Sequence, residues 1–277
     1  MRITEYYIIL GKEGFLNDHA TTIQSVLCNT VGEVSARGTA YVGLVFEALL
    51  RLFPYEGGKL MDSCGIIDKI LEACANNYYG IDSCDPDRVV VIYMTALARI
   101  SLADPAFLQN KLPITLQAGA FGHSQMVDLL VKRFQLAGNG AHGLLFQTLW
   151  ATLLLSFYPP SSHTSPLTNS VLEKSNEIFS AFVYLLKNVH KDGSNLLSYE
   201  VECDDDEEKI DRDTCVYDSL VQEQAARDKA RSSDFRDKLT EKLNGLCAAL
   251  GNEEYSRFLS TLDATVLQQL QEALANY

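Results

Sequence analysis

The residues most capable of chemistry in this sequence are crowded into one stretch. Between Glu200 and Asp218 stand ten acids against Lys209 and Arg212, and the densest part is Asp204, Asp205, Asp206, Glu207 and Glu208. Five adjacent carboxylates offer three kinds of function: hard-cation chelation, attraction of a basic partner, or a solvated spacer between packed pieces. A calcium loop needs alternating ligands, a turn glycine and a distal glutamate. "DDDEEKIDRDTC" has none of that ordering, so no metal site is assigned. Steering of a basic partner is the functional reading, because clustered charge raises local potential and encounter rate. The solvated linker stands beside it, because like charges repel and resist packing.

Other reactive residues lack the spacing that chemistry requires. Gly138-Asn139-Gly140-Ala141-His142-Gly143 matches the letters of a dinucleotide loop. Such a loop needs a preceding strand and an acid about 20 residues on, and neither is present. Gly122-His123-Ser124-Gln125-Met126 lacks the closing glycine of a nucleophile elbow. His19, His123, His142, His163 and His190 are scattered near breakers and helix ends. The seven cysteines form no C-x-x-C and no zinc-finger spacing, and Cys64, Cys74 and Cys84 recur at intervals that helical repeats produce by chance. No acid, base and nucleophile converge, so the sequence reads as a non-enzyme with no catalytic residue, cofactor or metal.

Charge narrows the partners. The net charge of −13 excludes a general nucleic-acid binder, which needs a basic footprint. The start, "MRITEYYIIL", lacks the basic head, apolar core and cleavage site of a signal peptide. Together with the unpaired cysteines this favours a reducing compartment in which cysteines act as small buried hydrophobes. The longest apolar run, Leu144 to Tyr158, is interrupted by Gln147 and Thr148 and falls short of the ~18 residues of a membrane span. A buried helix explains it, and no membrane insertion is expected.

The elements that must hold these residues are helices. Val42, Val45, Phe46, Leu49, Leu50 and Phe53 form one stripe, which Pro54 and Gly57-Gly58 are expected to stop. "MDSCGIIDKILEACANNYYG" carries a second stripe, through Ile66, Ile67, Ile70, Leu71 and Cys74. Asp85-Pro86, Asp104-Pro105 and Ser165-Pro166 each set a capping oxygen before a proline, which loses no bond at the first helical position. "VVVIYM" (89–94) runs into "TALARI" as part of the helix that Asp85-Pro86 opens. Trp150 shares a stripe with Phe146, Leu153, Leu154 and Phe157 and belongs to the core. After the acidic run, Ser233 is placed to cap a helix through Phe235, Leu239, Leu243, Leu246 and Leu250, which Gly251 ends. A short helix around Tyr255, Phe258 and Leu259 follows, and Asp263 opens a last one with Val266, Leu267, Leu270 and Leu274.

These elements succeed one another as antiparallel pairs of irregular interval. The expected fold class is all-α, a HEAT-type helical-repeat solenoid in which repeats of ~40–47 residues stack into a superhelix, with a compact irregular helical domain as the alternative from the same stripes. The expected organisation is HEAT-like repeats over 1–199, an acidic loop over 200–215 and closing C-terminal helices over 216–277.

"FRDKLTEKLNGLCAALGNEEYSRFLSTLDATVLQQLQEAL" resembles the C-terminal end of importin-β-like karyopherins of the importin-eleven subgroup. The resemblance is carried by Leu239, Lys242, Leu243, Gly251, Tyr255, Phe258, Leu262, Asp263, Leu267, Leu270, Gln271, Glu272 and Leu274, preceded by an acidic loop. It implies the C-terminal portion of a nuclear transport receptor, shuttling between nucleus and cytoplasm under the small GTPase Ran. The partners it implies are protein cargo with basic segments, with Ran and nuclear-pore proteins engaged through the full-length protein. It places Asp204–Glu208 in the acidic loop that contacts basic cargo. A helical scaffold or adaptor unrelated to transport is the alternative from the same residues.

Overall fold

The computed structural model describes residues 2–11, 14–79, 86–118, 121–138, 143–158, 166–189 and 234–275, together with Glu223, Asp228 and Ala230. Every regular element among them is a helix. The first half runs α1 (Arg2–Gly11), α2 (Gly14–Thr30), α3 (Ala36–Leu52), α4 (Pro54–Ser63), α5 (Ile66–Tyr78), α6 (Pro86–Ala103) and α7 (Pro105–Ala118). The second runs α8 (His123–Lys132), α9 (Phe134–Ala137), α10 (Gly143–Ser156), α11 (Pro166–Glu173), α12 (Ser175–Val189), α13 (Phe235–Ser260) and α14 (Ala264–Ala275).

Local chemistry accounts for several helix starts. Ser35 caps α3 by accepting from the Gly38 N–H, and Asp104 caps α7 by accepting from the Phe107 N–H at 2.9 Å. Pro86, Pro105 and Pro166 each open a helix. The cap of α13 is Asp234 rather than Ser233: its carboxylate accepts from the Arg236 N–H at 2.9 Å. An ionised acceptor at the positive end of a helix is the stronger cap.

Two breaker readings change in the structure. Pro54 ends α3 by opening α4, and Gly57 and Gly58 lie buried inside α4 instead of terminating anything. A Cβ on Gly58 would stand 3.3 Å from Ile100 Cγ2, and one on Gly57 would stand 3.2 Å from Leu50 Cδ2. The glycines let α4 approach α3 and α6 closely, a demand set by packing and invisible to local propensity. The stretch 61–80 is likewise two elements, because Gly65 takes φ 71° between α4 and α5.

The helices stack in two rows. In the first, α1, α3, α6, α10, α12 and α14 each pack on the next. Behind it α2 meets α4, α4 meets α5, α7 meets α8 and α8 meets α11, while α4, α5, α7 and α9 all back onto α6. One continuous apolar core runs between the rows, from Ile8 and Ile9 to Leu270. This is the all-α solenoid expected from the helical stripes.

Helix α10 is the clearest consequence of composition. Leu145, Leu149, Trp150, Ala151, Leu153, Leu154 and Leu155 are all buried, so apolar residues occupy every side of it. A helix of that kind sits inside a protein. Its neighbours in the row are α6 and α12, with α8 and α9 behind and α13 over it. The indole N–H of Trp150 donates to Thr95 Oγ1 at 3.0 Å, which removes the cost of burying it. Among the described residues no helix is long and apolar enough to cross a membrane.

Candidate interaction surface

Charged residues inside apolar stripes draw attention to one point on the first row. Glu47 lies in "VFEALL" of α3 and Arg99 in "ALARISL" of α6, and both are buried. The Arg99 guanidinium donates to Glu47 through Nε, at 3.2 and 3.1 Å, and through Nη2, at 2.8 Å. Its Nη1 donates to Asp228 Oδ1 at 2.6 Å. The Arg99 and Asp228 side chains are each only 3% exposed. Asp228 Oδ1 also accepts from the Ala230 N–H at 2.9 Å.

Burial alone pushes the Asp228 carboxyl up. The Arg99 charge and hydrogen bond, the Ala230 N–H and the nearby Arg51 together outweigh it and hold the group below the usual carboxylate range. The fork geometry of Arg99 suits this task, since one guanidinium reaches two carboxylates in fixed directions. Removing a charged pair from water is costly, and the hydrogen bonds of Arg99 and the Ala230 N–H offset that cost at every oxygen but Asp228 Oδ2, which is buried with no hydrogen-bond partner among the described residues.

The position of Asp228 in the chain gives the triad its interest. Asp228 lies downstream of the acidic run and is fixed to Arg99 of α6, which in turn holds Glu47 of α3. Further on, α13 lies over the first row at α10. Phe235 stacks edge-on against Phe182 of α12 at 5.2 Å, and Leu239, Leu243 and Leu246 bury the rest of that face of α13. Gly251, at φ 76° and ψ 162°, breaks the helical backbone within α13. Beyond it Phe258 packs on Tyr158 at 6.2 Å and Phe179 at 6.1 Å. Asn176 then clasps the α13–α14 turn, donating to the Thr261 carbonyl at 3.3 Å and accepting from the Asp263 N–H at 2.7 Å.

The family model for importin-11-like TPR repeats matches residues 1–275. The chain belongs to that family. The match extends the likeness of the C-terminal helices to nearly the whole importin-11-like chain. The family's description calls the repeats TPR where their texture reads as HEAT-type, and both are stacked antiparallel helix pairs. Neither the curated proteins nor the solved structures gave a match. The family is one of transport receptors without catalytic activity, and that membership makes this importin-11-like region a non-enzyme.

Asp204, Asp205, Asp206, Glu207 and Glu208, the residues singled out for partner binding, lie outside the described residues. Upstream of them the described chain ends with α12 of the first row, and downstream Asp228, 20 residues beyond Glu208, is bonded to Arg99 of that row. Sequence reasoning missed the triad itself. Its signal was a charge inside each of two apolar stripes, at Glu47 and Arg99.

A second charged cluster ties the importin-11-like repeats together on the other row. Asp128 of α8 accepts from the Tyr78 hydroxyl at 3.1 Å and pairs with Lys132 at 2.6 Å and Lys174 at 3.3 Å. Burial raises the Asp128 carboxyl, and the three hydrogen bonds more than reverse that and hold it low. Beside it is an open cleft lined by Tyr78, Leu129, Lys132 and Arg133, with Arg133 paired to Asp87 at 2.8 Å. This cluster joins three helical segments and assembles no nucleophile. Of the remaining candidates, His123 opens α8 and His19 stacks on Phe15 at 5.5 Å. Gly138 and Gly143 flank a helix-to-helix connection whose other residues, 139–142, lie outside the described residues.

Proposed function

We propose that this importin-11-like chain is the C-terminal, cargo-handling portion of a nuclear transport receptor that shuttles between cytoplasm and nucleus under control of Ran. The observation that carries the reading is the family match over 1–275. In it the chain acts by protein–protein binding, with the first row of helices as scaffold. The organisation proposed with it is helical repeats over 1–199, an acidic loop over 200–215 and closing helices over 216–277.

Asp204–Glu208 steer basic cargo segments towards the first row in this proposal. The anchoring of Asp228 on Arg99 supports it, because it ties the chain 20 residues beyond Glu208 to the first row. A cluster of five carboxylates acts on encounter more than on the bound state, and its effect decays within a Debye length of about 10 Å at 0.1 M salt.

The test is stopped-flow association of a Lys/Arg-rich cargo peptide with the wild type and with a variant carrying Asn or Gln at 204–208. Steering predicts an association rate about tenfold lower for the variant at low salt, and a flatter dependence on ionic strength. An identical rate and salt slope would remove the steering role. Pull-down of the full-length gene product with GTP-loaded Ran and nuclear-pore repeat peptides tests the transport assignment separately, and capture of neither would favour a scaffold unconnected with transport.

A further inference from the structure

Two thiols from distant parts of the sequence meet where α2 reaches the α4–α5 turn. The Cys28 thiol donates to the Cys64 carbonyl oxygen at 3.2 Å, which brings the two cysteines to one junction. Both residues are free cysteines of intermediate exposure. They are covered enough to be held in place and open enough for a small oxidant to arrive. This differs from the expectation that the cysteines serve as buried hydrophobes, a role that Cys74 does fill.

The surroundings hold the two sulfurs together. On one side Gln24 Nε2 donates to Ser63 Oγ at 2.8 Å, and on the other Lys69 Nζ donates to the Cys28 carbonyl at 2.6 Å. Cys64 Sγ donates to the Leu60 carbonyl at 3.1 Å, which sets it on the last turn of α4. Gly65, with φ 71°, follows immediately and turns the chain into α5. Three polar ties spanning residues 24–28 and 63–69 hold the two cysteines at one junction, which shortens the search that normally limits disulfide formation.

We propose that Cys28 and Cys64 are a modification site: an oxidant converts them reversibly into an intramolecular disulfide that staples α2 to the α4–α5 turn. The oxidant is a hydroperoxide. The Cys28 thiolate sulfur attacks one peroxide oxygen, the O–O bond breaks, and the departing oxygen leaves as water with the thiol proton. Cys28 is then a sulfenic acid. The Cys64 thiolate attacks that sulfur, the S–S bond forms, the S–O bond breaks, and a second water leaves with the Cys64 proton. Two thiols and one hydrogen peroxide give one disulfide and two waters, the two electrons passing from the sulfurs to the peroxide oxygens. A dithiol reverses the change by exchange.

The order of events follows from the environment. Burial and the neighbouring Cys28 push the Cys64 thiol up to about 11. At neutral pH Cys64 is therefore a poor first nucleophile, and it serves to resolve a sulfenic acid already held against it. Cys74 does not compete, because it is fully enclosed and its thiol is raised further by burial.

The test uses the full chain. It is exposed to hydrogen peroxide, alkylated, digested without reduction and mapped by mass spectrometry. The expected result is a peptide linking Cys28 to Cys64, about 2 Da lighter than the two reduced peptides together and released by dithiothreitol. Cys74 stays reduced in the folded protein. The oxidised chain gains thermal stability, with a midpoint higher by on the order of 5 °C. Cys28→Ser and Cys64→Ser each abolish both the cross-link and the gain, with circular dichroism confirming that each variant folds. Recovery of Cys28 and Cys64 as alkylated thiols, or of Cys28 as sulfinic acid with Cys64 alkylated, would overturn the proposal. So would cross-linking of either to another cysteine in preference.

Discussion

Arg99 shows how one residue serves two carboxylates from segments that are remote in sequence. Arg99→Met leaves Glu47 and Asp228 buried without the guanidinium between them, and the expected loss is about 3–5 kcal/mol of folding stability in chemical denaturation. Replacing all three together, with Glu47→Gln and Asp228→Asn added, restores most of that loss, because the uncompensated charge is gone. The pH dependence follows from Asp228. Its folded-state carboxyl sits below its ordinary value of 3.8, so the unfolded chain binds that proton more readily. The stabilisation is fully present above the unfolded value and is lost as pH falls through the lower, folded one. The stability gap between wild type and Asp228→Asn should therefore be constant from neutral pH to about pH 5 and narrow below about pH 4. A gap that instead grows with acid would contradict this assignment. None of the triad is legible from spacing, because 52 and 129 residues separate Arg99 from its partners and only the stacking of helices unites them.

Individual helices divide cleanly into what local chemistry dictates and what packing dictates. Prolines 86, 105 and 166 open helices because a fixed φ and a missing N–H suit the first turn anywhere, so those starts are readable directly. Gly57 and Gly58 carry the same local signal as any breaker pair, yet the contact of α4 with α6 at Ile100 requires them within a helix. Asp204–Glu208 were readable as a charge cluster and as nothing finer, since composition assigns no contact to them. Two other glycines separate these influences experimentally. A Cβ has open space beyond the local backbone at both, but Gly251 holds φ 76° and ψ 162°, a region that a Cβ makes strained, while Gly245 is helical. Gly251→Ala is expected to destabilise the chain by about 1–3 kcal/mol. Gly245→Ala, at an exposed helical site, should stabilise by about 0.5–1 kcal/mol. Urea denaturation of the two variants checks both signs. Equal effects would mean that the break at Gly251 exerts no backbone constraint.

At the scale of the molecule, stability in a stacked array is a sum over neighbours, so a helix is protected according to how many sides its neighbours cover. Helix α10 has α6 and α12 in its row, α8 and α9 behind and α13 over it. Helix α6 has α3 and α10 in its row and α4, α5, α7 and α9 behind. Helix α1 is covered by α3 and α2, and Ile3, Tyr7 and Leu10 on its other side are 71%, 61% and 59% exposed. Helix α14 rests on α12 and α13, with Leu270 its one buried residue. Native-state hydrogen exchange should therefore be slowest in 86–103 and 143–156 and fastest in 2–11 and 264–275, whose openings need the loss of fewer contacts. The triad modifies this order in a specific way. Because Asp228 fastens the returning segment to α3 and α6, Asp228→Asn should speed exchange in 235–250 and in 86–103 together while leaving 123–132 at its wild-type rate. Acceleration confined to 235–250 would mean that the salt bridge restrains that segment without stabilising the row beneath it.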